Sequence, residues 1–259
     1  MIHFHANGED ISQTVPILSR FCRDFKINVI AVEYPGYGIY HIKDQRIAQA
    51  QQIIIDAEAV YRFLVNQLGV DKKDIIVSGR SIGSGPACHL AAKFDPECLI
   101  LISPIKSVND VARLYCGRIT DMLIEERFNN VAKAMQSTCP TIIMHGLEDK
   151  MVPHEDSIEL MLKGFINAQT HLFLRDGMTH NKFDYEFDLI RPLNFFFNHH
   201  SIVVKSSKHE RSPSGFGYID LKDRKNKEKE GYGNRSRYHN NFQAKFLPVL
   251  RAPNGNDEQ

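Results

Sequence analysis

One stretch of this chain, DIIVSGRSIGSGPACHLAAKF at residues 74–94, restricts the possible folds more than any other. It begins with a β-branched run that is typical of a strand buried on both faces, and it ends with a helical pattern. Between them lies a G-x-S-x-G sequence centred on Ser81, with Gly79 and Gly83 on either side. A sharp turn from strand to helix brings the two backbones close together, so small residues are needed at these two positions. The order predicts a turn that raises the Ser81 hydroxyl above the edge of a sheet.

A glycine-rich phosphate loop and a plain turn are the two other interpretations of this stretch. A Walker loop has the pattern G-x-x-x-x-G-K-[ST], and no lysine follows the glycines here. The strand–turn–helix order therefore favours an exposed serine nucleophile over a phosphate site.

The rest of the chain repeats the alternation of strand and helix. Buried-strand patterns recur as NVIAVEY, DIIVS, CLILIS, TIIMHG and THLFLR, and helical patterns separate them. This alternation predicts an α/β fold with a mostly parallel sheet and helices on both faces. Residues 104–135 interrupt it with a helical insertion, which we interpret as a small lid.

Composition divides the chain into a globular body and a tail. Hydrophobic residues make up 42% of the chain, enough for a core over most of its length. Residues 201–259 contain 12 Lys and Arg against 7 Asp and Glu, while the chain as a whole has a net charge of +1. We therefore predict one domain over residues 1–200 and a basic, disordered tail over residues 201–259. The near-neutral total gives no reason to expect a nucleic-acid partner.

The cysteines and the termini limit the compartment and the cofactors. The five cysteines are irregularly spaced with no CxxC pair, which argues against a disulfide framework or a zinc site. His3 and His5 alternate along a strand, but no carboxylate cluster accompanies them, so we expect no metal and no cofactor. No signal peptide and no membrane-length apolar run is found, which predicts a cytoplasmic location.

A serine hydroxyl needs a base, and the base needs an orienting acid. In strand–elbow–helix folds the chain order is serine, acid, histidine. Asp149 follows the strand TIIMHG, with Glu148 as its neighbouring competitor, and His180 follows the strand THLFLR. The sequence therefore predicts Ser81, Asp149 and His180 as the catalytic residues.

An oxyanion needs two backbone donors. One is the amide of Ile82, directly after the serine. The other should come from the loop after the first strand, where either Asn7 or Ala6 is placed to offer its N–H, and we assign it to Asn7.

These motifs, in the order HANGED, EYPGYG, GRSIGSGPA, HGLED and GMTHN, resemble the α/β-hydrolase superfamily over residues 1–200. More narrowly, they resemble the α/β-hydrolase domain-containing acyl-protein thioesterases, which remove palmitate from cysteines, and the domain is similar to the serine aminopeptidase S33 and dienelactone-hydrolase-like groups. The resemblance implies the same roles for Ser81, Asp149, His180, Asn7 and Ile82. It also implies that the N-terminal edge strands of the usual sheet are missing. The thioesterases carry an N-terminal cysteine cluster for lipid anchoring that this chain lacks, which leaves peripheral membrane association open.

The sequence thus predicts a serine hydrolase that cleaves an acyl ester or thioester through an acyl-enzyme, most similar to a depalmitoylase. Its substrate partner would be an acylated protein or a small acyl ester. A lipid esterase and a catalytically silent binding module are the alternatives. Five residues of the insertion would either line an acyl pocket or pack the lid onto the body: Leu114, Tyr115, Ile119, Met122 and Leu123.

Overall fold

The computed structural model describes residues 1–40, 49–117 and 127–202. Residues 203–259, most of the predicted tail, and residues 118–126 of the predicted lid lie outside this part of the chain. The division into a body at 1–200 and a tail at 201–259 therefore stays a prediction. Among the described residues, no helix combines the length and the apolar character needed to cross a bilayer.

Strands and helices alternate along the described residues. The strands are β1 (Ile2–Phe4), β2 (Ile30–Val32), β3 (Ile76–Arg80), β4 (Cys98–Ile102), β5 (Thr141–Gly146) and β6 (Thr170–Arg175). The α-helices are α1 (Ile11–Phe25), α2 (Ala50–Asn66), α3 (Ser84–Phe94), α4 (Val108–Cys116), α5 (Asn130–Ala134), α6 (His154–Glu159) and α7 (Arg191–His199). Short π-helical segments at Leu160–Gly164 and Tyr185–Ile190 continue α6 and lead into α7.

The six strands form one sheet in the order β2-β1-β3-β4-β5-β6, and every neighbouring pair is parallel. The predicted parallel sheet is therefore confirmed. After β1 the chain moves to one side to form β2, and it then returns to the other side of β1 to form β3. In open parallel sheets, such a reversal opens a crevice at the carboxyl ends of the two diverging strands. The loop after β1 and the turn after β3 meet at this crevice.

Helices cover both faces of the sheet, as predicted. Strand β4 shows why, because its residues alternate between two cores: Leu99 and Leu101 pack in one, and Ile100 and Ile102 in the other. The first core contains residues of α2 and α3, and the second contains residues of α1 and α7. A strand with both faces buried needs apolar side chains throughout, which explains its continuous apolar run.

The described part of the predicted insertion contains α4 and α5. The Asn130 side chain, at the start of α5, donates to the Ser84 hydroxyl and to the Ile105 carbonyl, so α5 is fixed against α3. Leu114 and Tyr115 on α4 are 55% and 62% exposed. Most of the surface of both is open to solvent, and Ile119, Met122 and Leu123 lie outside the described residues, so the choice between lining a pocket and packing onto the body stays open. The lid stays a prediction.

Candidate active site

The turn after β3 holds Ser81 in an unusual backbone conformation. Its φ is +52°, in the left-handed region that costs free energy for a residue with a side chain. A Cβ on Gly79 would collide with the carbonyl group of Gly83, and one on Gly83 would collide with the carbonyl oxygens of Phe4 and His5. The two glycines therefore allow β3, the helix and the loop after β1 to approach one another closely.

Three of the predicted residues are connected in series by hydrogen bonds. The Oγ of Ser81 lies 3.0 Å from Nε2 of His180, and Nδ1 of His180 lies 2.7 Å from Oδ2 of Asp149. All three side chains are buried, with 5–8% of each residue exposed. The three residues follow the carboxyl ends of β3, β5 and β6. Because these strands are parallel, the residues lie on the same side of the sheet. Glu148, the competing acid, is exposed, and the partner of His180 Nδ1 is Asp149.

Asp149 is held as a carboxylate. Its Oδ1 accepts hydrogen bonds from the amides of Met151 and Val152 at 2.8 and 2.9 Å. Burial by itself would raise the pKa of Asp149, but hydrogen bonds from His145, His180 and the Val152 amide outweigh it and lower the pKa well below its usual value. A fixed negative charge beside His180 favours the protonated ring that forms when a histidine acts as a base.

His145 contacts the Asp149 carboxylate directly, and the sequence analysis assigned it no role. It is fully buried on β5, with Nε2 3.2 Å from Oδ2 of Asp149 and 3.0 Å from the Val152 carbonyl. Its Nδ1 lies 2.6 Å from the Ser157 hydroxyl. Ser157 can donate to Nδ1, which leaves the proton on Nε2 to point toward Asp149 and Val152. The signal in the sequence was the histidine that opens HGLED, four residues before the acid.

Arg80, directly before the serine, holds the loop that carries His180. Its guanidinium donates to the His180 carbonyl at 2.8 Å and to Oδ1 of Asn181 at 2.9 Å. A third bond, at 2.8 Å, goes to Glu9, which also accepts from the amide of Ala6 at 2.7 Å. Arg80 thus connects the serine turn to the loops after β1 and β6. No local pattern in the sequence predicts this role.

The loop after β1 contains Asn7, and it meets the serine turn where the carbonyls of Phe4 and His5 lie against Gly83. The Ala6 amide already donates to Glu9, so of the two candidate donors Asn7 is the one left for a ligand. Buried His5 shapes the loop: its Nε2 lies 2.8 Å from Glu33, and its ring stacks on Tyr34 at 4.0 Å. The Tyr34 hydroxyl donates to the His5 carbonyl at 2.7 Å.

His3, two residues before His5 and on β1, contacts different groups. Its Nδ1 lies 3.1 Å from the Ser78 hydroxyl, and burial lowers the pKa of His3 to about 3. His3 is therefore a neutral core residue at ordinary pH, and its ring and that of His5 bind separate partners.

Comparison with known proteins supports the resemblance seen in the motifs. The chain is 28% identical over 160 residues to the α/β-hydrolase domain-containing protein aho-3 of Caenorhabditis elegans, covering 62% of this chain and 46% of that protein. It is 25% identical over 204 residues to the α/β-hydrolase domain-containing protein 17C of Xenopus laevis, covering 77% of this chain and 61% of that protein. The chain thus spans about half to three fifths of the length of these relatives. No protein-family model matches it.

A solved structure shows the same fold. The monoacylglycerol lipase of Paleococcus ferrophilus superposes with a TM-score of 0.51 at 16% identity, covering 77% of this chain and 91% of that one. Together with the parallel sheet and the serine turn after β3, this similarity shows that the chain has the α/β-hydrolase fold.

Proposed function

We propose that this protein is a serine hydrolase that cleaves acyl esters or thioesters through an acyl-enzyme. The observation that carries the proposal is the hydrogen-bonded series Ser81–His180–Asp149 on a strained turn. Strain at a non-glycine residue persists where the surrounding structure enforces it, and such positions cluster at functional sites. A packed turn with no chemical role needs neither the strain nor a buried histidine and carboxylate in series.

The proposed reaction begins when Oγ of Ser81 attacks the acyl carbonyl carbon. His180 accepts the hydroxyl proton at Nε2, and Asp149 stabilises the resulting imidazolium through Nδ1. The amides of Asn7 and Ile82 donate to the oxyanion. His180 then gives its proton to the departing alcohol or thiol, which leaves Ser81 acylated. Water, deprotonated by the same histidine, releases the acid.

The proposed substrate class is an acylated protein, with a small acyl ester as the alternative. Both curated relatives are named α/β-hydrolase domain-containing proteins, and the motif resemblance points to depalmitoylating members of that group. One exposed apolar side chain beside the site is consistent with a fatty acyl group: Met151 is 45% exposed, and its Sδ accepts a hydrogen bond from Asn181, the residue after His180. A cytoplasmic location and peripheral membrane association remain proposals.

The first experiment is covalent labelling with a fluorophosphonate probe, which reacts with an activated serine. Wild type and the matched control Ser12→Ala, which removes an exposed hydroxyl on α1, should label equally. Ser81→Ala should not label. A folded wild-type protein that does not react would contradict the proposal and favour a binding module on the same fold.

The second experiment separates the substrate classes. Hydrolysis is compared between an S-acyl and an O-acyl substrate that share one acyl chain, at chain lengths of eight and sixteen carbons. We expect the thioester of the longer chain to give the highest kcat/KM. A clear preference for the glycerol ester would instead identify a lipid esterase.

A further inference from the structure

A second group of chemically active side chains lies far from Ser81. His171, the second residue of β6, contacts His199 and His200, which lie at the end of α7. We call these residues the three-histidine cluster. His171 lies at the amino end of β6, whereas Ser81 follows the carboxyl end of β3. Because the strands are parallel, the cluster and Ser81 lie at opposite ends of the strands.

The three rings are arranged around a common point. Their centroids are 4.8 Å apart for His171 and His199, 5.0 Å for His171 and His200, and 4.9 Å for His199 and His200. One ring nitrogen from each lies within 4.8 Å of the other two, and Nε2 of His171 lies 3.0 Å from Nε2 of His200.

The distance between His171 and His200 is close to that between two ligands of one metal ion. In a tetrahedral zinc site with Zn–N bonds of about 2.0–2.1 Å, ligand nitrogens are separated by about 3.3 Å. The distance of 3.0 Å between Nε2 of His171 and Nε2 of His200 is already near this value. His199 is exposed, so rotation about its side-chain bonds can bring the third nitrogen inward.

The composition of the cluster selects the kind of ion. Within the part of the chain that the structure describes, the grouped donors are three imidazole nitrogens, a set that suits Zn²⁺, Ni²⁺ or Cu²⁺ rather than Mg²⁺ or Ca²⁺. A cation there is also favoured by the negative end of the α7 dipole. The ring of Phe196 packs against His171 and His200, which keeps one side of the cluster apolar.

We propose that the three-histidine cluster binds one Zn²⁺ ion, with a water molecule in the fourth position. The ion would fasten the end of α7 to the edge strand β6. Without a metal, one of the two Nε2 atoms of His171 and His200 donates a proton to the other. When zinc binds, both Nε2 atoms direct lone pairs at the ion, and the proton of the donating ring moves to its own Nδ1, so both rings stay neutral.

The test uses the full chain, stripped with a chelator and then titrated with Zn²⁺ in competition with a chromogenic chelator. We compare wild type with His199→Ala, His200→Ala and the control His89→Ala, a histidine that pairs instead with Glu58. Wild type and the control should bind one more tight ion than the two cluster variants. Removing a neighbour of a metal ligand costs about 10–100-fold in affinity, so removing a ligand should cost at least about tenfold.

Two further measurements separate metal binding from folding. Zinc should raise the Tm of wild type and leave that of the cluster variants unchanged. His199→Ala is the decisive variant if His200→Ala lowers the Tm in chelator, because the His199 ring is exposed. X-ray absorption at the zinc edge should show nitrogen and oxygen neighbours at about 2.0–2.1 Å.

Three outcomes would overturn the proposal. The first is full zinc affinity in both cluster variants. The second is an equal loss of affinity in His89→Ala. The third is a sulfur shell at about 2.3 Å, which would assign the zinc to the exposed thiols of Cys22 or Cys116.

Discussion

Arg80→Met tests whether the residue before the serine positions the histidine. Methionine keeps an unbranched chain of similar length but cannot donate a hydrogen bond. The variant loses the bonds to the His180 carbonyl and to Asn181, and it leaves the Glu9 carboxylate without its 2.8 Å partner. The loop that carries His180 then keeps its bond to Ser81 but loses both of its bonds to Arg80.

The expected loss of activity follows from these contacts. A hydrogen bond from a charged donor contributes about 1.5–3 kcal/mol. If the productive position of His180 becomes less favourable by that amount, kcat/KM falls roughly 10- to 150-fold. The second-order rate of fluorophosphonate labelling should fall in parallel, because it depends on the same pairing of Ser81 and His180. Arg80→Lys keeps the positive charge but lacks the several N–H donors of the guanidinium. Its kcat/KM should therefore lie between those of wild type and Arg80→Met.

Lys106→Met is the matched control for this prediction. Lys106 also forms a partly buried ion pair, at 2.9 Å to Glu159, but it does not contact the His180 loop. The Lys106→Met variant should have a lower free energy of unfolding than wild type and nearly the same kcat/KM. The reasoning would be refuted by a folded Arg80→Met protein with kcat/KM within about twofold of wild type, or by equal losses of kcat/KM in the two variants.

Three other changes test the site and its surroundings. Asp149→Asn should lower kcat by a factor on the order of 10⁴, because the neutral amide no longer stabilises protonated His180, and ester hydrolysis at saturating substrate measures it. Gly83→Ala should destabilise the fold by about 1–3 kcal/mol in urea unfolding, because its Cβ meets the carbonyls of Phe4 and His5; an unchanged midpoint would contradict the close approach. The pKa of His3 falls from 6.5 to about 3 on folding. Below pH 6.5 the unfolded chain therefore binds a proton on His3 that the folded chain does not, and the free energy of unfolding decreases as the pH is lowered. The Tm of wild type relative to His3→Gln should therefore decrease between about pH 7.5 and pH 5, and a constant difference would show that His3 is not buried neutral.

Much of the fold follows from the sequence alone because the relevant signals are local. A buried strand, a glycine on each side of Ser81 and a helical pattern are neighbours along the chain, so periodicity and residue size are enough to predict the turn. The order of serine, acid and histidine is that of strand–elbow–helix folds, and the three can meet because each follows a strand and parallel strands end on the same side of the sheet. The sequence favoured Asp149 over its neighbour Glu148, and the structure adds the reason, because it buries Asp149 and leaves Glu148 exposed.

The tertiary structure alone decided the contacts between distant segments. The bond from Arg80 to the His180 carbonyl joins residues 100 apart, and the cluster of His171 with His200 joins residues 29 apart. Periods of two and of 3.6 relate residues within one strand or one helix. The two residues of each of these pairs lie in different elements, so no periodic pattern in the sequence indicates that they meet. Histidines that share no motif meet only because α7 ends beside the edge strand β6. The sequence therefore determines where chemistry can occur along each segment, and the packing of helices onto the sheet determines which of those segments act together.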